Sequence, residues 1–357
     1  MEPLSITAVV LLVIFVLVFV FVIAYLIINT KKNITPPTPP TPPIPPTPPI
    51  PPIPPTPDPN KHNITIKNSC PFTIYPASLN NSNITGPAPF GGGATLEAGK
   101  QLTVSVDKQW AGRLWARTGC NFLSNGNGVC LTGDCNGQYY CKVSGNAPST
   151  LAEFNFDVYG NQLVYDGSNV DGFNLPMNIT FDNYQKIYNS PTSCTTPKCP
   201  FNINSVCPEE LQVKDSNGTV VGCLSACKAG LEPNDLYCCA GIYSCSPLQS
   251  TCPDGELPCD TSKWPVNYAD NLFGKYCPNF YTYPYSDDTA LFYCQNAPDK
   301  LIDVTVEFCP SGYDLPAPQA PTYTGFCCDG VTRCDPNSIP AQGCPDGTLC
   351  PVNSSLC

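Results

Sequence analysis

The sequence predicts a mainly β domain, stapled by disulfides and led by one transmembrane helix, on three observations. Short stretches alternate apolar and β-branched residues with polar ones, as half-buried strands do: HNITIKN at 62–68, KQLTVSV at 100–106, GRLWARTGC at 112–120 and LAEFNFDVY at 151–159. All 24 cysteines lie beyond residue 69, an even number with adjacent pairs at Cys238-Cys239 and Cys327-Cys328, the mark of a framework made in an oxidising compartment. Near the N-terminus, Ala8 to Ile28 is a run of 21 residues without a charge, against the roughly 20 that a helix needs to cross a hydrocarbon core.

Residues 1–30 are read as an uncleaved signal anchor. A cleavable leader has a shorter apolar region ending at a small-x-small site, and neither occurs before Asn29. Lys31 and Lys32 follow the helix while Glu2 precedes it, which by the positive-inside rule would leave the C-terminal part in the cytosol. Against that stand the cysteines, which a reducing cytosol would keep as thiols, and N-x-S/T sequons at Asn33, Asn63, Asn80, Asn83, Asn178, Asn217 and Asn353. The cysteines decide it: a single-pass membrane protein is expected, its C-terminal part lumenal or extracellular.

Residues 31–60 form the next segment. Within it, 36–59 are almost pure proline with threonine and isoleucine, which fixes φ, removes backbone donors and favours polyproline II. At about 3.1 Å per residue this stalk would reach roughly 75 Å. The main domain is expected over 61–312 and a Cys-rich module over 313–357. Between Cys194 and Cys294 the alternation gives way to loops dense in Cys, Pro, Gly and Asn, a region to be stapled rather than packed.

Composition narrows the chemistry. No C-x-x-C knuckle occurs and the only histidine is His62, so no metal or other cofactor is expected and Ser-His-Asp or Cys-His machinery is excluded. Catalysis would have to rest on carboxylates. A net charge of −11 and a pI near 4.4 repel phosphate backbones, so nucleic acid is not an expected partner.

From Asn63 to Pro310 the residues carry a family resemblance. GNGVCLTGDCNGQYYC at 126–141 matches a family signature in full, flanked in order by NSCPFTIYPA, GRLWARTGCNF, PSTLAEF, VDGFNLPM, GCLSAC, YCC and VEFCP. The chain resembles the thaumatin-like family, the pathogenesis-related, defence-related group that includes osmotin and zeamatin. The resemblance implies a thaumatin-like β-sandwich with a disulfide-rich loop and helix lobe. It also implies the pairs Cys70–Cys309, Cys120–Cys130, Cys135–Cys141, Cys194–Cys294, Cys199–Cys277, Cys207–Cys223, Cys227–Cys238 and Cys239–Cys245. An insertion after Cys245 holds two further cysteines, Cys252 and Cys259, expected to pair with each other.

The tail repeats this region: YCCAGIYSCSP with CPDGELPC at 237–259 lines up with FCCDGVTRCDP and CPDGTLC at 326–350. By that analogy Cys328–Cys334, Cys344–Cys350 and Cys327–Cys357 are expected.

Many family members have an acidic cleft lined by one arginine, one glutamate and three aspartates. Motif by motif these fall on Arg113, Glu153, Asp166, Asp171 and Asp287, with Asp288 an alternative to the last. Two carboxylates across a groove are what glycoside hydrolysis requires, and Glu153 with Asp171 would be the pair. The same cleft, with Phe280, Tyr281, Tyr283 and Tyr285 nearby, would equally bind a glucan without cutting it. Arg113 with Glu153 would also serve simply as a salt bridge fixing strand register. Three functions follow: a monomeric ectodomain that binds a β-1,3-glucan type of cell-wall polysaccharide, a weak endo-β-1,3-glucanase, or a protein-binding, hydrolase-inhibiting surface carried by the insertion and tail.

Overall fold

The computed structural model describes residues 6–31, 58, 60–158, 160–187, 189–190 and 192–320, with the backbone of Pro340–Gly343 and Leu349–Pro351. The chain divides into two compact units, Met1–Thr56 and Pro57–Cys357. The first holds a helix, α1 (Ile6–Lys31). Its described side chains run unbroken only over Val13–Ile27, and among the described residues no helix is long and apolar enough to cross a membrane.

In chain order the second unit has β1 (Lys61–Asn68), β2 (Tyr75–Asn80), β3 (Gln101–Asp107), β4 (Ala111–Phe122), β5 (Gly128–Thr132), β6 (Leu151–Val158), β7 (Gln162–Ser168), β8 (Met177–Asp182), β9 (Tyr184–Gln185), β10 (Lys198–Cys199), β11 (Gln212–Lys214), β12 (Val220–Cys223), α2 (Asn234–Cys238), β13 (Phe280–Tyr281), α3 (Asp287–Ala290), β14 (Phe292–Asn296) and β15 (Asp303–Phe308). The backbone of Pro340–Gly343 and Leu349–Pro351 forms a last antiparallel pair.

One sheet has the order β10-β8-β15-β1-β3 and the other β2-β4-β6-β7-β14-β9, with β5 added beside β4 and β13 beside β7. The alternation read from the sequence is the physical reason. In β1 every second residue is buried, Ile64 and Ile66 among them, and in β15 Val304, Val306 and Phe308 follow suit. These meet Leu114, Phe154, Leu163 and Tyr165 in one core. His62 joins it: its ring lies 4.1 Å from that of Phe156 and its Nδ1–H donates to Ile302 O at 2.8 Å. β1 and β15 pair in parallel at the middle of their sheet, and Cys70–Cys309 closes a loop with a sequence separation of 239. In the chain-entropy account a loop of that size is worth about 5.5 kcal/mol.

Arg117, fully buried on β4, organises the loops at one edge. Its guanidinium donates to the carbonyls of Tyr75, Gln138 and Tyr139 and lies over the rings of Phe122 and Tyr139. Burial pulls its pKa down to about 10, opposed by the nearby Asp134, and it stays charged at neutral pH.

Bonds join Cys120–Cys130, Cys135–Cys141, Cys194–Cys294, Cys199–Cys277, Cys207–Cys223 and Cys227–Cys238. Two expected pairs are exchanged: instead of Cys239–Cys245 and Cys252–Cys259, the bonds are Cys239–Cys259 and Cys245–Cys252. The insertion folds back on itself, so that Pro258 bridges to Cys245 and Cys259 N–H donates to Cys245 O at 2.9 Å. That return places Cys259 in the core against Cys239 and leaves Cys245 to the nearer Cys252. The expected bonds Cys328–Cys334, Cys344–Cys350 and Cys327–Cys357 lie outside the described residues.

Candidate functional site

Strand register creates a row of ionisable side chains. Arg113 on β4 stands opposite Glu153 on β6, and Glu153 opposite Asp166 on β7, so the three are cross-strand neighbours on one face. Their sequence neighbours Leu114, Phe154 and Tyr165 are buried, so by the period of two the row faces away from the sandwich core. Arg113 Nη2 lies 3.2 Å from Glu153 Oε1, and Arg113 Nη1 donates to Ser144 Oγ at 3.4 Å.

Two glycines bring the remaining carboxylates to this row. At Gly167 a Cβ would fall 2.5 Å from the Phe280 ring, so its absence lets β13 lie along β7, with Phe280 beside Gly167 and Tyr281 beside Ser168. The Tyr281 hydroxyl then donates to Asp287 Oδ1 at 2.5 Å. Gly172 has φ +94°, and a Cβ there would strike Cys223 O at 2.5 Å; that left-handed backbone suits glycine alone. The turn it closes presents Asp171, whose Oδ1 lies 3.0 Å from Lys228 Nζ.

Burial pushes the Asp166 carboxyl well above its usual range; the charges of Glu153 and Asp287 add to that and Arg113 opposes it. Its Oδ2 is buried without a hydrogen-bond partner. Glu153 is also raised, by burial first, with Arg113 opposing and Asp171 adding. A carboxyl with a raised pKa keeps its proton more readily, so Glu153 and Asp166 can serve as hydrogen-bond donors as well as acceptors.

The structure therefore gathers Arg113, Glu153 and Asp166 directly and brings Asp287 within electrostatic reach of Asp166 and Asp171 within that of Glu153. Asp287 points at Tyr281, whereas Asp288 is exposed in a separate groove of about 400 Å³ with Asp270 and Tyr283. Of the aromatic candidates, Phe280 is buried under Gly167 and Tyr285 donates its hydroxyl to Ser244 O. Among the described residues no group of His, Cys, Asp or Glu is placed to hold a metal ion.

The thaumatin family profile matches residues 68–310. The chain belongs to the thaumatin family. It is 39% identical over 252 residues to a glucan endo-1,3-beta-glucosidase of Prunus avium, covering 69% of this chain and 90% of the relative. It is 36% identical over 246 residues to pathogenesis-related protein 5 of Arabidopsis thaliana, covering 69% and 89%. Among solved structures, that of the thaumatin-like xylanase inhibitor TLXI is 19% identical with a TM-score of 0.35, covering 69% of this chain and 99% of the other. Thaumatin-like proteins are typically secreted.

Within this thaumatin-family site, sequence reasoning missed Lys228. It lies in GCLSACKAG, next to a matched motif, but nothing in its spacing predicts that it meets Asp171. Its signal was only that a cation sits in a loop tied by Cys223 and Cys227.

Proposed function

We propose that this protein is a membrane-anchored thaumatin-like ectodomain that binds a β-1,3-glucan type of polysaccharide in the acidic cleft. The observation that carries the reading is the in-register row Arg113–Glu153–Asp166, with the buried Asp166 Oδ2 left without a hydrogen-bond partner. Carboxyl groups in both protonation states pair with neutral hydroxyls without needing a charged ligand. The relative in Prunus avium is named for action on such a glucan. The uncharged run from Ala8 to Ile28 supports anchoring. Full-length protein in detergent should be retained on insoluble β-1,3-glucan, and Glu153→Gln with Asp166→Asn should weaken retention at least about tenfold, the loss of roughly 1.4 kcal/mol. Equal retention of wild type and variant would dismiss the cleft as the binding site.

A weak endo-β-1,3-glucanase is the second reading, favoured by the division between Glu153, whose proton is held by burial, and Asp171, which faces the Lys228 ammonium. Glu153 would protonate the leaving oxygen, and Asp171 would attack the anomeric carbon or activate water. Reducing-sugar release from a soluble glucan that disappears in Glu153→Ala, with unchanged melting, supports it; release that persists in the variant rejects it.

A further inference from the structure

We propose that Asn83 and Asn217 carry N-linked glycans in the folded protein, whereas the sequons at Asn63, Asn80 and Asn178 are bare. The inference rests on the placement of the domain outside the cytosol, and it goes beyond the cleft.

In glycan transfer, Asn Nδ2 attacks the anomeric carbon of a lipid-pyrophosphate-linked oligosaccharide. The C1–O bond breaks, the lipid pyrophosphate leaves and Nδ2 gives up one proton. The product is a planar secondary amide in the trans arrangement, so the sugar carbon lies on the Oδ1 side of Nδ2. What surrounds Oδ1 therefore decides whether a glycan and the fold can coexist.

That side is occupied at three sequons. Asn63 Oδ1 accepts from Ser105 Oγ at 2.8 Å while its Nδ2 donates to Asp303 Oδ1 at 3.0 Å. Asn80 Oδ1 accepts from the indole N–H of buried Trp110 at 2.9 Å, and its Nδ2 donates to Gly86 O at 3.0 Å. Asn178, on β8 between Glu307 and Lys198, has Oδ1 buried without a partner. A sugar at any of the three would displace the indole, the serine or the neighbouring strands.

Asn83 and Asn217 are different. Both are exposed, and neither is on a strand. Asn217 projects from the turn between β11 and β12, where Asp215 Oδ1 accepts the backbone N–H groups of Asn217 and Thr219. Asn83 stands at the lip of a groove of about 710 Å³ beside β3. Transfer precedes folding, so chains modified at the closed sequons would fail to fold rather than appear in the disulfide-bonded fraction.

The test is site occupancy in full-length protein from mammalian cells. The monomeric, oxidised fraction is treated with an N-glycosidase in heavy-oxygen water, and peptides are read by mass spectrometry. Labelled aspartate is expected at 83 and 217, with unlabelled asparagine at 63, 80 and 178. Asn83→Gln and Asn217→Gln should each remove one glycan's worth of gel retardation. Label at 63, 80 or 178, or bare asparagine at both 83 and 217 beside occupied sequons elsewhere, overturns the assignment. A wholly unglycosylated, thiol-bearing protein would overturn the placement outside the cytosol as well.

Discussion

Asp166 and His62 are two buried titratable groups whose shifts have opposite consequences. The Asp166 carboxyl is raised in the folded state, so the fold holds its proton more tightly than the unfolded chain does. Its cost to stability is absent below the unfolded value of 3.8, grows as pH rises and is complete above the folded value. Asp166→Asn should therefore melt higher than wild type at pH 7, by about 2–4 °C if about 1 kcal/mol is relieved, with the gain vanishing near pH 3. His62 is lowered by burial from 6.5, and its Nε2 has no partner. Its contribution is whole above that pH and is lost as pH falls towards the folded value. His62→Asn, which keeps a donor for Ile302 O, should flatten the decline in melting temperature between pH 7 and pH 5; an unchanged slope assigns that decline to other groups. Arg113, Glu153, Asp166 and Asp171 could be named from the sequence because each sits inside a motif. Lys228 was not, and neither was the choice of Asp287 over Asp288, because both depend on loops converging from distant parts of the chain.

Strands β1, β3 and β6 were readable from period-two patterning, since one face of each packs on the core, whereas β4 is buried on both faces. The Cys-rich lobe lacks that constraint: any of several foldbacks would satisfy its cysteines, and the bond partners follow from the return of Pro258 onto Cys245. Peptide mapping of unreduced protein should recover Cys239–Cys259 and Cys245–Cys252; recovery of Cys239–Cys245 would restore the simpler loop. Cys245→Ser with Cys252→Ser opens only a small loop, with a sequence separation of 7, and should lower melting less than Cys239→Ser with Cys259→Ser, whose bond spans 20.

For the whole molecule the matter is which compartment it occupies, because the disulfide framework and the proposed ligand both require an exit from the cytosol. Intact cells or particles treated with external protease, or sealed microsomes in which the domain is protected, should show residues 57–357 on the non-cytosolic side. Unreduced protein should run as a compact monomer and slow on reduction, since opening Cys70–Cys309 releases a loop of 239 residues. Free thiols at most of the cysteines in fresh protein would contradict both. The cysteine content argues for an oxidising compartment, whereas the charges around α1 pull the other way, and the protease experiment decides between them.

The parallel pairing of β1 with β15 also fixes how the domain would carry a mechanical load. Ile64 lies beside Val304 and Asn68 beside Phe308, so the chain enters at one pole of the sheet and leaves at the other. Tension applied through both ends would shear the two strands along their length, with every rung of the ladder loaded at once. It would then cross from Cys70 to Cys309 without entering the cleft, the lobe or any other strand. A load-bearing path of about ten residues thus bypasses the remainder, which stays slack. Stretched singly under oxidising conditions, the domain should yield almost no length. With reductant it should release roughly 800 Å of chain in one step, at about 3.4 Å per residue.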